Sequence, residues 1–371
     1  MNITFLTTAW GVSGAEEHLL DLAKFLKEQK VALTFAVRQG SLFEKRVSSE
    51  GFPFVPLERK GPGLLLSPIT LARHLIHDAP DVLSVNREHD ILLGYLASKM
   101  ASPFRKRRGK LVAVFHTPTG RKIPLLKKFD GVVCTSEYTK NAFSRHNPEL
   151  EETARVIHYG IDLWHTDKDE KLNAERKRRF FQNASFPLIG MIGELWKNQE
   201  ELVDVAKHLV PNFPNLKIAI VGGGWKEQVE SLKRKIDEAG LTGNFILTGR
   251  VPRGKIPDIF FDLDLSVSTH RNEGFGIVHI ESLASYTPVV AYRAGGYVEM
   301  LSRGGGILVD GGPEELARAI ARLLSNHDER KRLALEGRKI VEEYYTIERM
   351  GRDHLSFYES IVAGRTWKRE S

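Results

Sequence analysis

Short apolar runs recur along the chain, separated by longer stretches whose apolar residues repeat at helical spacing. In the first half the runs are Ile3 to Thr8, Leu33 to Val37, Val82 to Val85, Leu111 to His116, Val132 to Ser136 and Val156 to Tyr159. A second series begins at Pro187 to Gly193 and continues through Ile218 to Gly222, Phe245 to Gly249, Leu265 to His270, Val289 to Tyr292 and Ile307 to Val309. Runs that are apolar on both faces suit buried parallel strands, and their alternation with helices predicts α/β sheets covered on both sides. Two series therefore predict two doubly wound units. Between them, Asp167 to Arg179 is charged and lacks strand character, which puts the boundary near residues 163–185. The chain closes with helical stretches at Pro313 to Ser325, Asp328 to Tyr344 and Ile347 to Val362.

Composition agrees with that division. A chain of 371 residues with 42% hydrophobic content can fill two cores. Cys134 is the single cysteine, which excludes a disulfide framework and fits a reducing compartment. No stretch approaches the run of about 18 apolar residues that spans a bilayer, and Met1 to Thr8 reads as a strand without a basic leader region. The expectation is a cytoplasmic protein.

The richest chemistry lies in Glu273-Gly-Phe-Gly-Ile-Val-His-Ile-Glu281, just after the run Leu265 to His270. Gly274 and Gly276 allow a tight turn before a helix that starts at Ile277. The backbone N–H groups around Phe275 to Ile277 then point out of a helix N-terminus, an intrinsic phosphate site. Helical side chains lean toward the N-terminus, so Glu281 reaches back over that site, while Glu273 stands on its strand side. Ile277, Val278, Ile280, Leu283 and Ala284 leave the helix almost no polar face, and a buried carboxylate without a partner is expensive. Glu281 is therefore read as a ligand-holding residue. Glu273 admits a second reading, a negative side chain that caps the helix.

The segment from Ser268 to Glu299 resembles the donor-site segment of the GT-B, family-4 retaining glycosyltransferases. Glu273 and Glu281 match their E-x7-E motif, Thr287-Pro-Val-Val290 their x-P-V-V stretch, and Gly295-Gly-Tyr-Val-Glu299 their G-G-x-x-E. The resemblance implies two Rossmann-like domains facing across a cleft, with the last helix crossing back to the first. On that scheme residues 1–163 with 347–371 form an acceptor-binding domain, 164–185 a linker and 186–346 a nucleotide-sugar-binding domain. It implies transfer, with retention, from a UDP-, GDP- or ADP-sugar to a saccharide or lipid-linked saccharide of the lipopolysaccharide, cell-envelope glycan or glycolipid type. No bound cofactor is implied.

Residue by residue, the resemblance gives Glu281 the ribose hydroxyls. Glu273 would hold sugar hydroxyls, with the backbone of Gly274, Phe275, Gly276 and Ile277 on sugar and phosphate. Lys197, in Gly193-Glu-Leu-Trp-Lys197, would stabilise the leaving diphosphate, an interaction worth more in the transition state than before it. His116 would orient the sugar, Gly14 would belong to a glycine loop near phosphate or acceptor, and the turn Gly249-Arg250-Val251-Pro252 would touch the base through its backbone. Attack on the face of departure needs no enzyme nucleophile, and the leaving phosphate helps to take the acceptor proton. One departure is plain: the family arginine after the glycine is Glu194 here, in a shorter turn. Either Lys197 acts without it, or Arg250, Arg271 or Arg293 replaces it. Gly222-Gly-Gly224 is similar to a family G-x-G and reads as a structural turn. Asp262-Leu-Asp264 mimics the metal-binding D-x-D of the other glycosyltransferase fold, yet it precedes its strand, so it reads as a strand entry and no metal is expected.

Charge adds a last feature. Of the net charge of +7, residues 1–162 carry +6, from 23 basic against 17 acidic residues. Lys99 to Lys128 holds ten basic residues and no acidic one, among them Arg105, Lys106, Arg107, Arg108, Arg121 and Lys122. Such a run is either a solvated face or a contact for an acceptor and an anionic membrane, and it raises the expectation of a peripheral place on the inner face of a membrane. Leu64-Leu-Leu66 and Ile123 to Leu126 would dip into lipid or pack in the core. Only Phe104 and Phe115 interleave with the charges, so no nucleic-acid partner is expected. Two rival classes stand beside the transferase: a sugar-nucleotide epimerase, which would need catalytic acids in the first domain, and a non-catalytic module for anionic surfaces.

Overall fold

The computed structural model describes residues 1–59, 63–164, 166–173, 177–182, 184 and 186–367. The side chains of Leu64 and Leu65, and residues 165, 174–176, 183 and 185 of the expected linker, lie outside the described residues. The chain divides into two compact units: Met1–Ile161 with Thr346–Ser371, and Asp162–Tyr345.

In the first unit seven strands form one sheet: β1 (Asn2–Thr7), β2 (Ala32–Arg38), β3 (Phe54–Leu57), β4 (Val82–Val85), β5 (Lys110–Phe115), β6 (Gly131–Cys134) and β7 (Ala154–Val156). Their order is β3-β2-β1-β4-β5-β6-β7, and each pair is parallel. β3 was absent from the apolar runs because Pro56 breaks its pattern, which an edge position tolerates. The order reverses between β1 and β4, and the crevice beyond the carboxyl ends of those strands is where open sheets of this type take ligands. The helix Ile347–Val362 belongs to this unit: Gly351 sits against the ring of Phe25 so closely that a Cβ would lie 2.1 Å from it. The hydroxyl of Tyr358, on the same helix, reaches Ser84 of β4 at 3.3 Å.

The second unit repeats the plan with β8 (Leu188–Ile192), β9 (Lys217–Val221), β10 (Phe245–Gly249), β11 (Leu265–Ser268), β12 (Val289–Tyr292) and β13 (Gly306–Val309). The order is β10-β9-β8-β11-β12-β13, again parallel, and it reverses between β8 and β11. Ile189, Ile218 and Val267 bury one face of the sheet with Leu202, Leu232 and Ile320 from the covering helices. The charged segment ahead of β8 is bound into this unit. The buried ammonium of Lys171 donates to the carbonyls of Phe260 and Phe261 at 3.0 Å each and to that of Leu263.

Candidate active site

Gly193 follows β8 at the switch point, and Gly222 follows β9 beside it. Gly222 has φ of +147°, and a Cβ on it would lie 1.9 Å from the Gly193 carbonyl oxygen, so only glycine lets these two strand ends meet. The chain then makes a short 3-10 turn, Leu195–Lys197, and leaves it through Asn198 in the left-handed region. Fully buried Gln199 locks that turn by donating its amide to the carbonyls of Gly193 and Glu194 at 2.9 and 2.8 Å. Lys197 is thereby aimed across to the loop that follows β11. Its Nζ donates to Oε2 of Glu273 at 2.6 Å.

Glu273 is held by its own backbone as well. Its carbonyl accepts the Gly296 N–H at 2.7 Å, so the glycine pair at 295–296 packs directly beneath the carboxylate-bearing loop. Burial alone would raise the pKa of Glu273, but the ammonium of Lys197 overrides it, and the carboxyl lies below its usual range. His279 is driven by burial down to about 4 and His270 is lowered by burial and then by Lys197, so both rings are neutral near pH 7. The result is one carboxylate and one ammonium in contact, framed by two neutral imidazoles. Gly276, at φ of +98°, starts the helix Ile277–Ala284; His279 N–H turns back to the Gly276 carbonyl at 2.9 Å, while the N–H groups of Ile277 and Val278 precede any helical acceptor. Phe275 is buried and packs edge-on to Tyr345 at 5.7 Å, so its side chain belongs to the core behind the loop.

Glu281 lies on that helix, buried, and it has a cation of its own. Arg253, in the turn after β10, places Nη1 3.4 Å from Oε1 of Glu281. The premise that an apolar helix would leave this carboxylate unpaired is corrected here; its partner comes from outside the helix. Val251 packs its side chain onto the core formed by Phe181, Leu188 and Ile259. Arg250 donates to Glu194 at 2.7 Å. Arg271 is bidentate on Glu201 at 2.8 and 3.0 Å with its guanidinium over Tyr292, and Arg293 pairs with Asp310 at 3.1 Å. Of the three cations considered for the missing arginine, Arg250 is the one that reaches the Glu194 turn. Asp262 accepts the backbone N–H groups of Arg179, Phe180 and Phe181 at 2.6 to 2.7 Å, and Asp264 accepts from Leu188 and Arg178.

In the first unit, Gly14 opens the helix Gly14–Glu28 and is exposed. Glu16, two residues on, accepts the Ser13 N–H at 3.0 Å and the Nε–H of Arg87 at 3.0 Å, which ties the glycine loop to the segment after β4. His116 leaves the end of β5 and its Nδ1 pairs with the Tyr159 hydroxyl, the two rings stacked within 2° of parallel. Burial drives His116 down to about 4, with Glu16 opposing and Arg87 assisting. The basic run is not one patch. Arg105 to Arg108 precede β5 at the amino edge of the sheet, whereas Arg121 and Lys122 follow it at the carboxyl edge, pairing with Glu88 and Glu149. Ile123, Leu125 and Leu126 pack on the core, while Leu66 is exposed.

Sequence reasoning missed Arg253, Gln199, Tyr159 and the imidazole of His279. Arg253 sits one residue past the turn already singled out, and a buried carboxylate in need of a cation was the signal for it. Nothing local marks the other three.

Residues 174–340 match the family described as Glycosyl transferases group 1, and residues 12–165 match Glycosyltransferase Family 4. The chain belongs to the group 1 glycosyltransferases. Among relatives of this family, the lipopolysaccharide core biosynthesis mannosyltransferase LpcC of Rhizobium leguminosarum bv. viciae is 31% identical over 204 residues, 53% of this chain and 55% of that one. The lipopolysaccharide core biosynthesis mannosyltransferase LpsB of Rhizobium meliloti is 26% identical over 348 residues, 85% and 94% of the two chains. The matched segments span about half the length of the first curated relatives, 45 to 62%. The crystal structure of Anabaena HepE in complex with UDP superposes with a TM-score of 0.83 at 23% identity, covering 97% of this chain and 100% of that one. The fold of this group 1 glycosyltransferase is GT-B: two units, each an α/β sheet of parallel strands. No described helix is long and apolar enough to cross a membrane.

Proposed function

We propose that this group 1 glycosyltransferase moves a sugar from a nucleotide sugar to a saccharide or lipid-linked saccharide acceptor of the lipopolysaccharide, cell-envelope glycan or glycolipid type, with retention at the anomeric carbon. The observation that carries the reading is the Lys197–Glu273 contact of 2.6 Å at the switch point of the second sheet, beside a helix N-terminus. A diphosphate brought to that N-terminus competes with Glu273 for the ammonium. Lys197 then turns toward the charge that grows as the sugar–phosphate bond breaks, and Glu273 is released to accept hydrogen bonds from sugar hydroxyls. Glu281 takes the ribose and the backbone at Val251 the base. In the first unit, His116 is a neutral hydrogen-bonding partner for a sugar hydroxyl, its ring held by Tyr159.

UDP is the favoured nucleotide, with GDP and ADP as the other candidates, because the similar HepE was crystallised with UDP and with UDP-glucose. The lipopolysaccharide-type acceptor rests on the names of LpcC and LpsB. Asp262 and Asp264 are engaged by backbone amides and Arg178, which supports transfer without a divalent ion held by that pair. The deciding experiment is turnover of a panel of UDP-, GDP- and ADP-sugars by the wild type and Lys197→Ala, with NMR of the product anomer. The expectation is an anomer matching the donor, and a fall in kcat of roughly a hundredfold or more in Lys197→Ala, in line with loss of a charge-stabilising donor. An inverted product sinks retention. A variant with full kcat sinks the role of Lys197.

A further inference from the structure

The strand β5 separates the basic run into two groups, and the group ahead of it lines a cavity that the glycosyl-transfer chemistry does not use. The cavity is about 370 Å³ and opens at the amino edge of the first sheet, walled by the end of the helix Gly63–His77, the loop before β5 and Val362 of the last helix. His116 and the glycine loop stand at the opposite, carboxyl edge of the same sheet. Arg105, Lys106, Arg107, Arg108 and Lys110 all face the cavity, against the single carboxylate of Asp81. Asp81 is itself occupied by the backbone N–H of Asn2 at 2.9 Å, and Asp130 answers Arg108 at 2.6 Å and Lys110 at 3.3 Å. Lys106 and Arg107 have no ion pair among the described residues.

Arg105 is the built part of this wall. Its Nη2 donates to the Pro80 carbonyl at 2.6 Å, and a Cβ on Gly109 would come within 2.6 Å of Nη1, so the glycine is what lets the guanidinium lie flat there. Its Nε–H is buried and has no acceptor. Burial outweighs the pull of Asp81 and lowers its pKa, so the guanidinium is under-compensated where it stands. A half-buried guanidinium beside two cations without ion pairs, all lining one pocket, matches a tetrahedral oxyanion, whose several acceptor oxygens a guanidinium fork binds in pairs.

We propose that this cavity binds a phosphoryl group, at a site separate from the transfer site and independent of the reading given to the second unit. The group is either the headgroup phosphate of an anionic lipid or a soluble phosphate ester; exposed Phe104 on the rim gives a lipid headgroup an apolar neighbour. The full chain is titrated with inorganic pyrophosphate by calorimetry, alongside Lys106→Glu/Arg107→Glu and Lys197→Ala. The paired substitution is expected to weaken pyrophosphate binding at this site by roughly tenfold or more, while Lys197→Ala keeps it, which separates the cavity from the second unit. Flotation with phosphatidic acid and with phosphatidylcholine vesicles then distinguishes the sources. Recovery with phosphatidic acid alone, displaced by pyrophosphate and lost in the paired variant, assigns a lipid headgroup. Pyrophosphate binding without flotation assigns a soluble phosphate. Absence of both from the wild type, or binding that neither the paired substitution nor Arg105→Ala alters, overturns the proposal.

Discussion

Arg253 and Glu281 stand 3.4 Å apart, and each sets what the other can do. The carboxylate is buried while the guanidinium is partly exposed, so the pair gives Glu281 a cation that reaches it from the surface side. An ionised acceptor gains about 1.5–3 kcal/mol from each hydroxyl it binds. Glu281→Gln is therefore expected to weaken nucleotide-sugar affinity roughly 10- to 100-fold by calorimetry, and Arg253→Ala to weaken it far less. Equal losses in the two variants would mean that Glu281 serves as the counterion of Arg253 and holds no ribose. The sequence made Glu281 conspicuous through the apolar residues around it. Its partner was hidden because ion pairs between separate turns leave no spacing to read. The same holds at position 194, where a glutamate looks like the loss of a cation until Arg250, from the end of another strand, is seen beside it.

At the scale of elements, the parallel strands were legible because burial on both faces makes each a continuous apolar run. What stayed illegible was the segment before β8, whose charges read as a solvated connection. Lys171 shows why: a lysine that satisfies the carbonyls at the end of the helix Ile256–Asp262 has the same composition signature as one in water. Lys171→Ala is expected to leave those carbonyls unsatisfied and cost about 3 kcal/mol or more, seen as a lowered urea midpoint. Lys171→Arg, which retains donors, should recover part of it. A midpoint unchanged in Lys171→Ala would show that water replaces the ammonium freely.

For the whole molecule, the neutral buried imidazoles couple stability to pH in both units. His279 of the second unit is held down at about 4 and His354 of the first at about 3, each chiefly by burial. An unfolded chain takes up these protons near pH 6.5, so stability is fully present above that value and falls as the pH drops toward the folded values. At about pH 5 the loss is about 2 kcal/mol for each ring. Denaturant midpoints at about pH 7 and 5 should therefore separate, and His279→Gln should narrow the gap; an equal gap in that variant would acquit His279. The division of the chain carries a further meaning for its synthesis. The second unit is one uninterrupted segment, Asp162–Tyr345, whereas the first is completed by Thr346–Ser371. As the polypeptide leaves the ribosome, the later-made unit has all its residues first. The earlier-made one must wait, with Phe25 and Ser84 uncovered, for the helix that carries Gly351 and Tyr358. Nascent chains paused before residue 346 thus present a finished insert inside an unfinished host.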